Sequence, residues 1–242
     1  ARDRFIAPAL ARAGLCEPFL TELVANEVRP GDTAIDLGAH VGYYTLLLAR
    51  LVGPGGRVCA LEPDPDNFAL LSRNVRMNGH AHVDLFNLAA SDRPGRCRLY
   101  RSADNAGDHR LYDSGGDGRP SVEVEAVRVD ELFGRRAGGV DFVKVDVQGL
   151  EVAALEGTAG LLARSPRVRM LVEFWPFGLA RAGYTPARLL ELVRALGFRA
   201  YEADEVGCCV RRADSRGLLE RYPESDEGRF ANLWCVKGPA LG

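Results

Sequence analysis

Hydrophobic and polar positions along the chain follow two periods, and the switches between them mark the elements. Thr33 to Leu37 (TAIDL), Arg57 to Leu61 (RVCAL), Val83 to Leu88 and Asp141 to Val145 (DFVKV) are short apolar runs rich in β-branched residues, the pattern of buried strands. Val168 to Phe174, Phe198 to Tyr201 and Leu233 to Lys237 extend the set. Between them, Tyr43 to Leu51, Asp64 to Asn78, Glu151 to Ala163 and Pro186 to Leu196 place apolar residues at helical spacing, Phe68, Leu71 and Val75 among them. Leu20 to Val28 reads as a short helix stopped by Pro30-Gly31-Asp32, and Gly79 is placed as a helix C-cap.

Strands alternating with helices of about three turns predict an α/β fold, a mostly parallel sheet covered on both faces. No long linker interrupts the pattern, so residues 1–242 are expected to form a single domain, with residues 1–30 as an N-terminal helical cover. Residues 96–129 break the rhythm. Two strand-like pieces, Cys97 to Tyr100 and Val122 to Val129, flank the Gly- and Asp-rich stretch Asp104 to Pro120, a polar β-insertion expected to contribute no core and to serve as a substrate loop.

Composition narrows the function. With 242 residues, 47% of them hydrophobic and 26% charged, the chain can bury one sizeable core or at most two small ones. Its net charge of −2 offers no cationic field for nucleic acid or an anionic membrane, and neither is expected as a partner. No apolar run approaches the roughly 20 residues of a membrane span, and Arg2, Asp3, Arg4 and Arg12 interrupt any leader-like stretch. Six scattered cysteines lack zinc-site spacing, and the reading is a reduced, cytoplasmic enzyme.

In an open parallel sheet ligands sit beyond the carboxyl ends of the strands. The first strand there runs into DLGAHVG (residues 36–42), where Gly38 and Gly42 permit a tight turn and close backbone approach. One β-α-β unit later Glu62 ends the second strand, suitably placed to accept the two hydroxyls of a ribose. The dinucleotide fingerprint needs a third glycine that is missing, and acidic Asp36 would repel a pyrophosphate yet attract a sulfonium. Charge sign therefore favours S-adenosylmethionine over a nicotinamide cofactor.

DLGAHVGYYT, LEPDPDNFALLSRNVRMNG and VDFVKVDVQGLEVAALEGT together resemble the FkbM family of class I methyltransferases, over roughly residues 30 to 237. The resemblance implies a Rossmann-like, seven-stranded sheet with one antiparallel strand near the C-terminus. It implies S-adenosylmethionine as cofactor, with Asp36, Gly38, His40 and Gly42 in the methionine-side loop, Glu62 at the ribose, Ala89 beside the adenine, and Asp146 also at the cofactor. His40 stands where that loop commonly has Asn, and Gln148 where the motif commonly has Glu, which removes a carboxylate near the acceptor.

Methyl transfer from a sulfonium is an in-line displacement that requires alignment and, for a hydroxyl acceptor, a general base. The candidates are His109 in the polar loop, Asp146 at a strand end and Glu173 before Phe174-Trp175. Each has a plainer alternative: a solvated loop histidine, a helix N-cap and a structural ion pair. Trp175 and Phe177 read equally as an acceptor wall or as core, and Glu151 as helix-start electrostatics. Asp104, Asp108, Asp113 and Asp117 show no regular ligand spacing, so no metal is expected. The expected activity is O-methylation of a sugar or specialised-metabolite hydroxyl in natural product biosynthesis. N-methylation of a small molecule or peptide, a nicotinamide-dependent oxidoreductase and a non-catalytic cofactor-binding module are the alternatives. Oligomeric state is open.

Overall fold

The computed structural model of the chain describes residues 6–113, 118–133 and 138–239. Asp117, one of the aspartates weighed for a cation site, lies outside the described residues. The elements in chain order are α1 (Ile6–Ala13), α2 (Pro18–Glu27), β1 (Thr33–Leu37), α3 (Tyr43–Val52), β2 (Arg57–Leu61), α4 (Pro65–Met77), β3 (Val83–Phe86) and β4 (Ala89–Ala90). Then come β5 (Gly95–Tyr100), β6 (Ser121–Val127), α5 (Val129–Phe133), β7 (Phe142–Val145), α6 (Glu151–Glu156), α7 (Ala159–Arg164) and β8 (Val168–Phe174). The last are α8 (Pro176–Arg181), α9 (Pro186–Ala195), β9 (Arg199–Asp204), β10 (Cys209–Arg212), α10 (Ser215–Arg221) and β11 (Ala231–Lys237).

The main sheet has the order β10-β9-β11-β8-β7-β1-β2-β3. β3, β2, β1, β7 and β8 are mutually parallel, and β11 runs antiparallel to both β8 and β9. The fold class is the expected α/β sheet, but it has eight strands rather than seven and a second antiparallel strand, β10, at the edge. β10 left no periodic trace because its residues Val210, Arg211 and Arg212 are all exposed. Its turn is built locally, with the Asp204 carboxylate accepting from the N–H groups of Val206 and Gly207.

Side-chain alternation splits the core into two layers. Ile35, Leu37, Val143, Val145, Met170 and Val172 face α6, α7 and α9, whereas Ala34, Phe142, Leu171 and Trp234 face α2 and α3. The single helix expected over 151–163 is instead two. Gly157 separates them, held so close to the Ser91 carbonyl that a Cβ would lie 1.9 Å from its oxygen.

The excursion departs from the expectation that it contributes no core. β4, β6 and β5 form a separate three-stranded sheet, and beyond it Ala106 and Arg110 are buried. Arg110 bridges back to Tyr100 through paired backbone hydrogen bonds of 2.7 and 3.0 Å.

Candidate active site

Register creates the site. Leu37 pairs with Leu61 on one side and Val145 on the other, and Val145 pairs with Val172. The next residue in each chain segment is Gly38, Glu62, Asp146 and Glu173, so these four stand abreast at the carboxyl edge of the sheet. Period two puts Asp36 and Lys144, themselves paired across β1 and β7, on that same face one step below. A cavity of about 560 Å³ opens over this edge, within the size range of small-molecule sites. It is lined by Asp36, Gly38, His40, Glu62, Asp146 and Glu173 from the strand tips, and by His109 from the excursion. Gly42 and Ala89 do not line it. Gly42 instead packs against α4, where a Cβ would meet Leu71 Cδ1 at 2.7 Å, and Ala89 is buried in β4.

The loop after β1 is pure backbone contact. Gly38 has φ +82°, and a Cβ there would lie 1.8 Å from the Asp146 carbonyl oxygen. Glu62 is 5% exposed; its Oε2 accepts from the His40 N–H at 2.8 Å and its Oε1 from the Asp64 N–H at 2.9 Å. Burial nevertheless pushes its carboxyl up to about 7. Asp36, fully buried, accepts from Thr45 Oγ1 at 2.6 Å; burial raises its carboxyl against the pull of Lys144.

Lys144 Nζ lies 2.9 Å from Asp146 Oδ2 and 4.7 Å from the centre of the Tyr44 ring. Burial opposes its charge, but Asp146, Glu17 and Asp36 more than offset that and hold the proton tightly. Burial likewise acts to raise Asp146, and the Lys144 ammonium, with a hydrogen bond from Gln148, brings it below the usual carboxylate range. Glu173 goes the other way: burial first, then the negative charges of Asp146 and Glu151, push its carboxyl well above that range. One face therefore holds two carboxyls with opposite proton affinities.

The excursion roofs the cavity. Asp64 caps α4 through Oδ1, accepting from the N–H groups of Asp66 and Asn67, and its Oδ2 accepts from Arg101 Nε at 2.5 Å. Asn67 Nδ2 reaches the Ala106 carbonyl at 3.0 Å. On the far side Arg110 bonds Asp108 and Glu227, and its guanidinium lies 4.9 Å from the Trp175 ring centre, while Trp175 Nε1 donates to the Glu227 carbonyl. Trp175 is thus a cavity wall; Phe177 packs beside it and is not part of the lining. Burial lowers the affinity of His109 for a second proton. Its Nδ1 accepts from the Ser102 N–H at 3.1 Å, so the neutral ring carries its proton on Nε2, which faces Asp64 Oδ2 at 3.8 Å. With its acceptor nitrogen committed to backbone, His109 presents a donor rather than a base, contrary to the sequence expectation.

Sequence reasoning missed Glu17, Tyr44 and Lys144, all of which line the cavity; Gln148, singled out only for the carboxylate it replaces, lines it too. Only Lys144 carried a signal, as a charge inside the otherwise apolar run of β7. Glu17, His40 and Gln148 are three of the four non-glycine residues with positive φ among those described. Their concentration on one cavity marks it as functional. Among the described residues no group of three His, Cys, Asp or Glu side chains gathers as a metal cluster, and no helix is long and apolar enough to cross a membrane.

The family model of the methyltransferase FkbM domain matches residues 36–200. The 31-O-demethyl-FK506 methyltransferase FkbM of Streptomyces tacrolimicus is 31% identical over 176 residues, a match covering 60% of this chain and 66% of that protein, less than two thirds of its length. Among solved structures, methyltransferase FkbM from Methylobacillus flagellatus superposes with a TM-score of 0.52 at 15% identity, covering 89% of this chain and 50% of that one. An O-methyltransferase from Bacillus cereus in complex with SAH gives 0.53 at 16% identity, covering 92% and 80%. These two likenesses concern the fold.

The site suits S-adenosylmethionine. Each Glu62 oxygen takes one backbone N–H and keeps a lone pair for a ribose hydroxyl, and the acidic strand tips suit a cationic sulfur and amine. The nicotinamide-dependent alternative finds no support in the family match. The chain belongs to the FkbM family of methyltransferases, and its cofactor is S-adenosylmethionine.

Proposed function

We propose that the chain methylates a hydroxyl oxygen of a small molecule, a sugar or specialised metabolite, with Glu173 as general base. The observation that carries this is the Glu173 carboxyl in the cavity wall, with a proton affinity well above that of an ordinary carboxylate. A base poised nearer neutrality takes a hydroxyl proton more readily than Asp146, which Lys144 holds ionised.

S-Adenosylmethionine supplies a methyl group on a positively charged sulfur. That positive charge favours the ionised form of Glu173, so the base is readied by cofactor binding. Glu62 would hold the ribose, and the carboxylates of Asp36 and Asp146 would attract the cationic end. Bound there, the cofactor would give its methyl group to the acceptor oxygen, and the sulfur, keeping the electron pair of the broken carbon–sulfur bond, would be left neutral. The hydroxyl proton passes to Glu173. The roof formed by Asn105 to Arg110 excludes water, and Trp175 and Phe230 offer the acceptor an apolar wall. The six cysteines form no disulfide with one another and three of them are buried, which supports a reducing cytoplasmic setting.

Purified protein is incubated with S-adenosylmethionine and extract of the producing organism, and products heavier by one CH₂ are sought by mass spectrometry, with fragmentation to place the methyl. Methylation at oxygen, lost in Glu173→Gln while cofactor binding persists, supports the reading. Methylation at nitrogen, or undiminished turnover in Glu173→Gln, overturns it.

A further inference from the structure

Gln148 has φ +53°, a conformation that side chains other than glycine and asparagine seldom adopt. The strain is held from outside. Glu151, fully buried, accepts at Oε1 from the N–H groups of Val147 (3.2 Å) and Gly149 (3.1 Å), the two residues flanking Gln148. Gly149 is packed so tightly that a Cβ would lie 2.5 Å from the Gly178 carbonyl oxygen. Thus clamped, Gln148 sends its Nε2 between two carboxylates, donating to Asp146 Oδ1 at 2.9 Å and to Glu173 Oε2 at 3.2 Å. Asp146 has a second partner in Lys144. Among the described residues Glu173 has no donor besides Gln148.

We propose that Gln148 is the positioning residue of the base: its amide alone ties the Glu173 carboxylate to Asp146 and the β7 loop, holding one oxygen and leaving the other turned to the acceptor. The proposal rests on the reading of Glu173 as base. It also accounts for the residue type, because the glutamate that the family resemblance leads one to expect here would set a third carboxylate against two others. A glutamine of the same length donates to both at once.

Four charged groups act on Glu173: Asp146 and Lys144 from the end of β7, Glu151 from α6, and Glu17 at the start of α2. None of the four is removed with Gln148; Asp146 loses one of its two donors but keeps the Lys144 ammonium at 2.9 Å, so the donor that Glu173 loses is the main change. The full chain, carbon-13 labelled at glutamate side-chain carboxyls, is titrated by NMR with S-adenosylhomocysteine bound, and Glu173 is identified by its missing signal in Glu173→Gln. Gln148→Met keeps the side-chain length and removes both donated hydrogen bonds. The Glu173 midpoint is expected to rise by at least about one pH unit. Gln148→Glu is expected to raise it further, since the new carboxylate adds repulsion to the lost bond. An unmoved or lowered midpoint in these variants overturns the proposal. Should Gln148→Met fail to bind S-adenosylhomocysteine, Gln148→Glu decides alone. Retained methyl transfer in Glu173→Gln would defeat the base reading while leaving the titration result standing, so the two failures are distinguishable.

Discussion

Glu62→Gln separates the demands of folding from those of cofactor binding. The Glu62 carboxyl is displaced from 4.5 to about 7 by burial, so the folded chain holds a proton there that the unfolded chain releases. A carboxyl with raised proton affinity makes the native state bind more protons than the unfolded one, and stability must then fall as pH rises through that window. The displacement corresponds to about 3 kcal/mol over the whole window. About 2 kcal/mol of it falls between about pH 5.5 and about pH 8. The amide of the variant cannot titrate. It also turns an NH₂ toward one of the two N–H donors, His40 or Asp64, a pH-independent loss of about 1–3 kcal/mol. The readout is therefore the slope. In urea titrations at several pH values, wild type should lose about 2 kcal/mol more than Glu62→Gln between about pH 5.5 and about pH 8. Glu151, also raised to about 7, titrates equally in both proteins and cancels. Calorimetry at about pH 8 should show cofactor affinity weakened by about 1–3 kcal/mol. Parallel stability curves would refute the reasoning, because they would mean that Glu62 titrates as an ordinary carboxylate.

Gly38→Ala should abolish soluble, cofactor-binding protein, since the new methyl lies 1.8 Å from a backbone oxygen at φ +82°; recovery of a normally folded chain by circular dichroism would contradict the packing described. Asp64→Ala removes both the cap of α4 and the anchor of Arg101, and chemical denaturation should register a loss of about 1–2 kcal/mol or more. Arg110→Met cuts the excursion's ties to Glu227 and Trp175, and limited proteolysis should then nick residues 104–113 faster, a change that bound cofactor only partly reverses. Turnover should rise with pH through the midpoint of Glu173, at a pH above the usual carboxylate range; a flat profile there would remove proton transfer to Glu173 from the rate.

How much was readable in advance follows from what is local. β8 was placed residue for residue, because a run of apolar residues bounded by turn formers needs no distant information. The cap of α4 and the turn at Gly38 are equally local, since Asp64 and the glycine satisfy backbone demands within a few residues. Asp36, Glu62, Asp146 and Glu173 could be singled out as carboxylates at strand ends for the same reason. β10 escaped because an exposed edge strand has no buried face to impress a period on its residues.

What the chain order alone determined, then, is the alternation of strands and helices and the residues that end the strands, for these depend on side-chain period and turn chemistry over a few positions. The folded arrangement decided which of those ends stand abreast, because register between β1, β2, β7 and β8 joins segments more than a hundred residues apart. It alone decided that Glu17 enters the cavity from the N-terminal helices, that the polar excursion is tied down as a roof, and that His109 gives its acceptor nitrogen to a backbone N–H. Proton affinity belongs largely to the same category: burial acts to raise both Asp146 and Glu173, and the Lys144 ammonium on its own strand pulls Asp146 down, while the carboxylates that folding brings from other segments push Glu173 up.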